Sequence, residues 1–213
     1  MAAMPGPAVI LTVVGALAVI ALVAAEARHA RAAKAISKTV ASAAFVGVAV
    51  ARGALAGGWP LALLIGLALS LVGDLLLLSR ARRHFLAGLA AFLAGHVAYV
   101  AAFASRGVAV TGAAVAAPLA LIALIVVGRW LAPHVRGSMR GPVAAYVLVI
   151  STMIVVAAAT VSHRFSVPLA LGAPAFYLSD LSVARDRFVA PGFVNRAWGL
   201  PVYYAAQFLL AWS

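Results

Sequence analysis

Almost the whole chain is a succession of apolar runs, each about as long as a bilayer is thick. A spanning helix needs about 20 mostly apolar residues. Eight such segments follow one another, at 8–25, 36–55, 59–78, 85–104, 110–131, 142–161, 167–184 and 197–212. In 213 residues they leave only short connections. The runs predict an all-α fold, a polytopic membrane protein built as a bundle of eight transmembrane helices. No loop is long enough to fold alone, so residues 1–213 are expected to form a single domain. The seventh segment carries Pro168, Pro174 and Asp180, and the eighth opens near Asn195, Arg196 and Pro201. Membrane helices tolerate such prolines. The first run lacks the basic stretch of a secretory signal and reads as a retained helix.

Charge sets the expected orientation. Among 16 Lys and Arg, 13 fall between an odd segment and the next even one or at their facing ends: Arg28, Arg31, Lys34 and Lys38; Arg80, Arg82 and Arg83; Arg129, Arg136 and Arg140; Arg185, Arg187 and Arg196. The other connections hold only Arg52, Arg106 and Arg164. The positive-inside rule then places the odd-numbered loops in the cytoplasm, as in a multi-pass protein of the cell membrane. The same distribution disposes of nucleic acid as the partner implied by a net charge of +12. The basic residues lie in four short loops beside a membrane, where anionic headgroups account for them. With no cysteine, thiol catalysis and thiolate metal sites are excluded.

Only four acids occur, and they direct the search for a site. Glu26 and Asp186 read as loop charges. Asp74 and Asp180 lie inside the third and seventh segments, each about four residues, or roughly 6 Å of rise, from the cytoplasmic end. An ionisable side chain in hydrocarbon costs at least about 2.5–3.5 kcal/mol and marks function by default. His96 sits near the middle of the fourth segment, with Tyr99 one turn deeper. Tyr203, Tyr204 and Gln207 enter from the start of the eighth, and Lys38 stands at the mouth of the second. These residues share one half of the membrane, the pattern of a polar cavity open to the cytoplasmic leaflet. Ser70 and Asp74, His96 and Tyr99, and Tyr203 and Gln207 each lie on one side of their helix. Each also has a plain structural use: an ion pair for an Asp, an interhelical bond for His96, an interfacial belt for the tyrosines.

The segment Ser70-Leu71-Val72-Gly73-Asp74-Leu75-Leu76-Leu77 resembles the S-x-x-G-D-x-x-L element of the YhhN-like lysoplasmalogenase family of integral membrane proteins. Phe85-x-x-Gly88 and Phe92-x-x-x-His96-x-x-Tyr99 are similar to that family's fourth helix. Gly172-Ala173-x-x-Phe176-x-x-Ser179-Asp180 resembles its G-A-x-x-F-x-x-S-D element, and Tyr204-x-x-Gln207 its final-helix Y-x-x-Q. Tyr146 and Met153 fit its sixth helix. Where family members often have Lys-Pro early in the second helix, this chain has Lys34-Ala35 and Lys38-Thr39, of which Lys38 suits the place better.

The resemblance implies an integral-membrane hydrolase. It cleaves the vinyl ether of a lysoplasmalogen, releasing a fatty aldehyde and glycerophospho-ethanolamine or -choline. The expected partners are therefore a lysophospholipid substrate and membrane lipid. No cofactor is implied. A metal is not expected, because hydrolytic zinc usually has several His ligands and only His96 is interior.

The residues suit that chemistry. A vinyl ether hydrolyses by protonation at its β-carbon, giving an oxocarbenium ion that takes up water. Two carboxyl groups in unlike surroundings can serve as acid and base, as in glycoside hydrolysis. Asp74 and Asp180 are the expected catalytic pair, with the assignment of acid and base open. His96, Tyr99, Ser179, Tyr204 and Gln207 are expected to position water or relay a proton. Lys38 and the cytoplasmic arginines suit the lipid phosphate.

Two other classes compete. Buried Asp and His also form the proton relays of small transporters. The outer halves of the segments are almost wholly Ala, Leu and Val, however, which argues against a through-path. A lipid-binding protein without chemistry fits a cavity but leaves the paired acids unexplained.

Overall fold

The computed structural model describes residues 6–79 and 81–213. Arg80, one of the basic residues read as cytoplasmic, lies outside them. Eight long helices follow in order: α1 (Pro7–Ala27), α2 (Arg31–Ala51), α3 (Gly58–Leu76), α4 (Arg82–Ser105), α5 (Val110–Leu131), α6 (Arg140–His163), α7 (Val167–Ala184) and α8 (Phe193–Trp212). Seven of them are long and apolar enough to cross a membrane. The exception is α8, which carries Asn195, Arg196, Tyr203, Tyr204 and Gln207. Its polar side chains turn inward, so its low apolarity reflects a central position. It packs on α1, α2, α3 and α7.

Consecutive helices form antiparallel hairpins, α1 with α2, α3 with α4, α5 with α6 and α7 with α8. The hairpins close on one another through α2–α3, α4–α6, α6–α7 and α1–α8. Phe45, Leu67, Tyr99, Phe103, Met153 and Phe176 are fully buried between them. Leu17, Ile20, Val110, Val115, Leu119 and Ile122 are exposed on the outside, where lipid tails replace water. The bundle is thus apolar outside and keeps its polar residues within.

Three boundaries differ most from the hydropathy reading. The second helix begins at Arg31 and not near residue 36, because Arg, Lys and Ala extend a helix well beyond the apolar run. It ends at Ala51, since Gly53 turns the chain with φ +87°, and Ala54–Ala56 forms a separate short turn. The last helix starts four residues early, at Phe193. Between α7 and α8 the helix widens into a π-turn over Arg185–Val189 before the chain reverses.

Small residues let α3 and α4 approach closely. A Cβ on Gly73 would lie 2.6 Å from the Phe92 ring, and one on Gly66 would run into the Tyr99 ring. Helices in lipid associate by such close packing, lacking a hydrophobic drive. The glycine of the Gly73-Asp74 pair therefore seats an α4 aromatic against the helix that carries Asp74.

Candidate active site

Asp74 is 2% exposed, and three donors converge on it. The Lys38 Nζ lies 2.9 Å from Oδ1. Ser42 Oγ donates to Oδ2 at 2.7 Å, and Tyr203 OH donates to the same oxygen at 2.8 Å. Lys38 and Ser42 are one turn apart on α2, so a single helix face supplies two of these partners. Lone pairs taken up in this way fix the carboxylate as an acceptor, anchored between α2, α3 and α8.

The anchor extends inward. Gln207 Nε2 donates to Tyr203 OH at 3.1 Å, and Tyr99 OH donates to Gln207 Oε1 at 2.7 Å. Ser70 Oγ lies 3.3 Å from Tyr99 OH and donates to the Gly66 carbonyl at 3.0 Å. The amide of Gln207 is thus oriented from both ends, which aims the Tyr203 hydroxyl at Asp74. Tyr204 points elsewhere: its hydroxyl lies 3.0 Å from Ser42 Oγ and 3.4 Å from the Lys38 carbonyl.

Asp180 is held differently. Its side chain is 17% exposed, and His96 faces it, with Nε2 3.6 Å from Oδ2. Among the described residues neither atom has a hydrogen-bond partner. His96 Nδ1 lies 2.7 Å from the Phe92 carbonyl, which can only accept, so Nδ1 carries a hydrogen and Nε2 faces the acid. Tyr146, from α6, lies against the Asp180 carboxyl. The imidazole is packed edge-on among Phe176, Tyr146 and Tyr99, with ring centroids 4.7, 5.2 and 6.3 Å away.

Asp74 and Asp180 line one cavity of about 280 Å³. Leu77, Leu89, Phe92, Val127, Val147 and Ile150 form much of its apolar wall, and Tyr146 and Tyr203 reach it. It opens at the end of the bundle that carries the odd-numbered loops, where Glu26, Lys34, Arg187 and Arg196 stand. Among the described residues no three His, Asp or Glu side chains converge as a metal-binding set.

The structure brings together most residues singled out from the sequence, with changes of role. Lys38 is engaged by Asp74, deeper than a mouth position, and is 8% exposed. Ser179 Oγ donates to its own helix, at the Phe176 carbonyl. Tyr203, beside the expected Tyr204, is the tyrosine that touches Asp74. Ser42 and Tyr146 also belong to the site. Their depth was visible in the sequence, but the direction each one faces was not.

Glu26 and Asp186 correct the sequence reading outright, for neither is a free loop charge. Glu26, on the last turn of α1, is 6% exposed and ion-paired to Lys34 and, at 3.0 Å, to Arg196. Asp186 accepts from the Gly192 backbone N–H at 2.8 Å and from Asn195 Nδ2 at 3.2 Å, which ties the π-turn to the start of α8. Helices that meet at the cavity mouth bury Glu26 and leave Asp186 partly exposed but hydrogen-bonded.

Comparison with known proteins gives a consistent picture. A family model described as the YhhN family matches residues 32–213. The chain is 31% identical over 159 residues to the protein named lysoplasmalogenase TMEM86A of Bos taurus, covering 70% of this chain. It is 31% identical over 156 residues to the protein of the same name of Homo sapiens, again over 70% of this chain. The match spans 63% of the length of each of these relatives. No solved structure matches the chain.

Proposed function

The chain belongs to the YhhN family, and from that membership together with the cavity we propose that it is a membrane hydrolase of lysoplasmalogens. Its substrate is a single-chain lipid with a vinyl ether. Its products are a fatty aldehyde and the glycerophospho-ethanolamine or -choline. One observation supports this most: two carboxyl groups line the same apolar cavity with opposite surroundings.

The reaction needs a proton on the β-carbon of the vinyl ether, then water on the α-carbon. Asp180 is the group suited to the first step. It faces the cavity, is ion-paired to no Lys or Arg among the described residues, and lies beside an imidazole nitrogen that can hold or pass a proton. Asp74 suits the second. Its charge, set by Lys38, Ser42 and Tyr203, stabilises the oxocarbenium ion and orients the incoming water. Water adds, one proton returns to the acid–base pair, and the hemiacetal collapses to aldehyde and alcohol. The sum is one vinyl ether and one water giving one aldehyde and one hydroxyl.

The apolar wall takes the alkenyl chain, and the mouth takes the headgroup. By the positive-inside rule the mouth faces the cytoplasm of the cell membrane. The test is aldehyde release from lysoplasmenyl-ethanolamine by purified protein in detergent. Wild type releases aldehyde, and Asp74→Asn and Asp180→Asn each lose about a hundredfold or more. A wild-type protein that releases none, or two variants as active as wild type, overturns the proposal.

A further inference from the structure

The charges lining the cavity nearly cancel. Lys38 faces Asp74, while Lys34 and Arg196 hold Glu26, and Arg196 also lies 3.9 Å from Asp186. Two cavity-lining charges are left outside these pairs. One is Asp180, deep inside beside His96. The other is Arg187, at the mouth, with no carboxylate in ion-pair contact among the described residues. Its guanidinium lies over the Phe85 ring, 4.0 Å from the centroid. Stacking covers a face of the guanidinium and leaves the N–H groups, which lie in its plane, available to a ligand.

Asp180 and Arg187 stand on one continuous stretch of helix, α7 running into the π-turn. Seven positions, four in α7 at about 1.5 Å of rise and three in the more tightly stacked π-turn, set their Cα atoms roughly 9–10 Å apart along the axis.

We propose that Arg187 binds the phosphate of the substrate and so sets the distance from headgroup to scissile bond. The inference rests on the hydrolase function proposed above. In a 1-alkenyl glycerophospholipid seven bonds run from the β-carbon, where the proton is added, to phosphorus. Bonds of about 1.5 Å meeting near 111° advance about 1.25 Å each in an extended chain, which gives roughly 9 Å. The helical spacing and the lipid spacing match. A substrate anchored at Arg187 therefore lays its vinyl ether beside Asp180. The planar guanidinium fits a phosphate through paired N–H bonds, and the other mouth cations already have acids.

The test compares two substrates with the same vinyl ether, lysoplasmenyl-ethanolamine and the phosphate-free 1-alkenylglycerol. Arg187→Gln raises KM for the phospholipid about ten- to hundredfold and leaves the kinetics on 1-alkenylglycerol unchanged. Arg187→Lys recovers part of the loss. Arg83→Gln, at an exposed arginine away from the cavity, has no such effect. The proposal is overturned if Arg187→Gln leaves the phospholipid unaffected or impairs both substrates equally, or if Arg83→Gln matches it through general surface attraction. Should wild type release aldehyde from neither substrate, the hydrolase function fails separately. Calorimetric binding of 1-alkyl-lysophosphoethanolamine, which has no vinyl ether, then decides on Arg187 alone: retained affinity in Arg187→Gln overturns the site, and lost affinity upholds it.

Discussion

His96 Nε2 and Asp180 Oδ2 face each other at 3.6 Å, and each is buried without a hydrogen-bond partner among the described residues. Because Nδ1 is committed to the Phe92 carbonyl, Nε2 of a neutral ring is an acceptor. A carboxylate oxygen is an acceptor too. Two acceptors aimed at one another are satisfied only when one proton lies on the pair, so under the function proposed above the pair can store the proton that step needs. Replacing His96 by Phe keeps an aromatic ring among Phe176 and Tyr146 and removes the nitrogen. Turnover is expected to fall by about a hundredfold or more, with KM nearly unchanged, in a steady-state aldehyde assay. A normal kcat would show that the imidazole is packing alone.

Lys38 and Asp74 form a buried ion pair, and each partner needs the other. Lys38→Met leaves the Asp74 charge in a low-dielectric site with only hydroxyl donors. A loss of about 3–5 kcal/mol of stability is expected, seen as a lower unfolding temperature in detergent. The double variant Lys38→Met with Asp74→Asn removes both charges and is expected to regain much of that loss, as a double-mutant cycle would register. Additive effects of the two substitutions would mean that the pair does not couple.

Tyr203 and Tyr204 are adjacent in sequence, and their hydroxyls do different things. Tyr203→Phe removes the donor that links Asp74 to Gln207. Its expected cost is about 1.5–3 kcal/mol of transition-state stabilisation, roughly tenfold or more in kcat/KM, since the acceptor is charged. Tyr204→Phe removes contacts to Ser42 and a backbone carbonyl and is expected to cost less. Side-by-side kinetics of the two variants check the order.

Gly73 is where α3 admits the Phe92 ring. Gly73→Ala forces that ring to shift, on the residue whose carbonyl holds His96. A destabilisation of about 1–3 kcal/mol is expected from the overpacking, together with a loss of activity. Gly128→Ala is the matched comparison, because a Cβ there meets nothing within 4 Å. That change is expected to be neutral or stabilising by up to about 1 kcal/mol. Thermal melts of both variants distinguish a steric requirement from a general intolerance of added methyls.

Much of the fold was legible in the sequence because a bilayer imposes local rules. Each span must satisfy its backbone internally and present apolar side chains to lipid, so eight runs of suitable length announce eight helices. The weakest of them, α8, is the one whose polar side chains serve the interior, so its apolar signal is thin just where its position is central. Boundaries slipped at α2 for a similar reason: hydropathy reports where lipid begins, while helix propensity carries Arg31–Lys34 further.

The acids show where local rules stop. Asp74 and Asp180 were marked as interior by depth alone. Glu26 looked like a loop charge because it follows an apolar run, yet it lies buried against Lys34 and Arg196 from two other helices. Depth along a helix can be counted from the sequence, since the rise per residue is constant. Facing and pairing cannot, because they depend on how helices far apart in the chain rotate and cross. By itself the sequence therefore determined the spans, the charged end of the bundle, and the few polar residues that must be explained. Only tertiary packing decided that Asp74 is held by Lys38, Ser42 and Tyr203, that Asp180 faces His96 and Tyr146, and that Arg187 stands at the mouth with no carboxylate partner among the described residues.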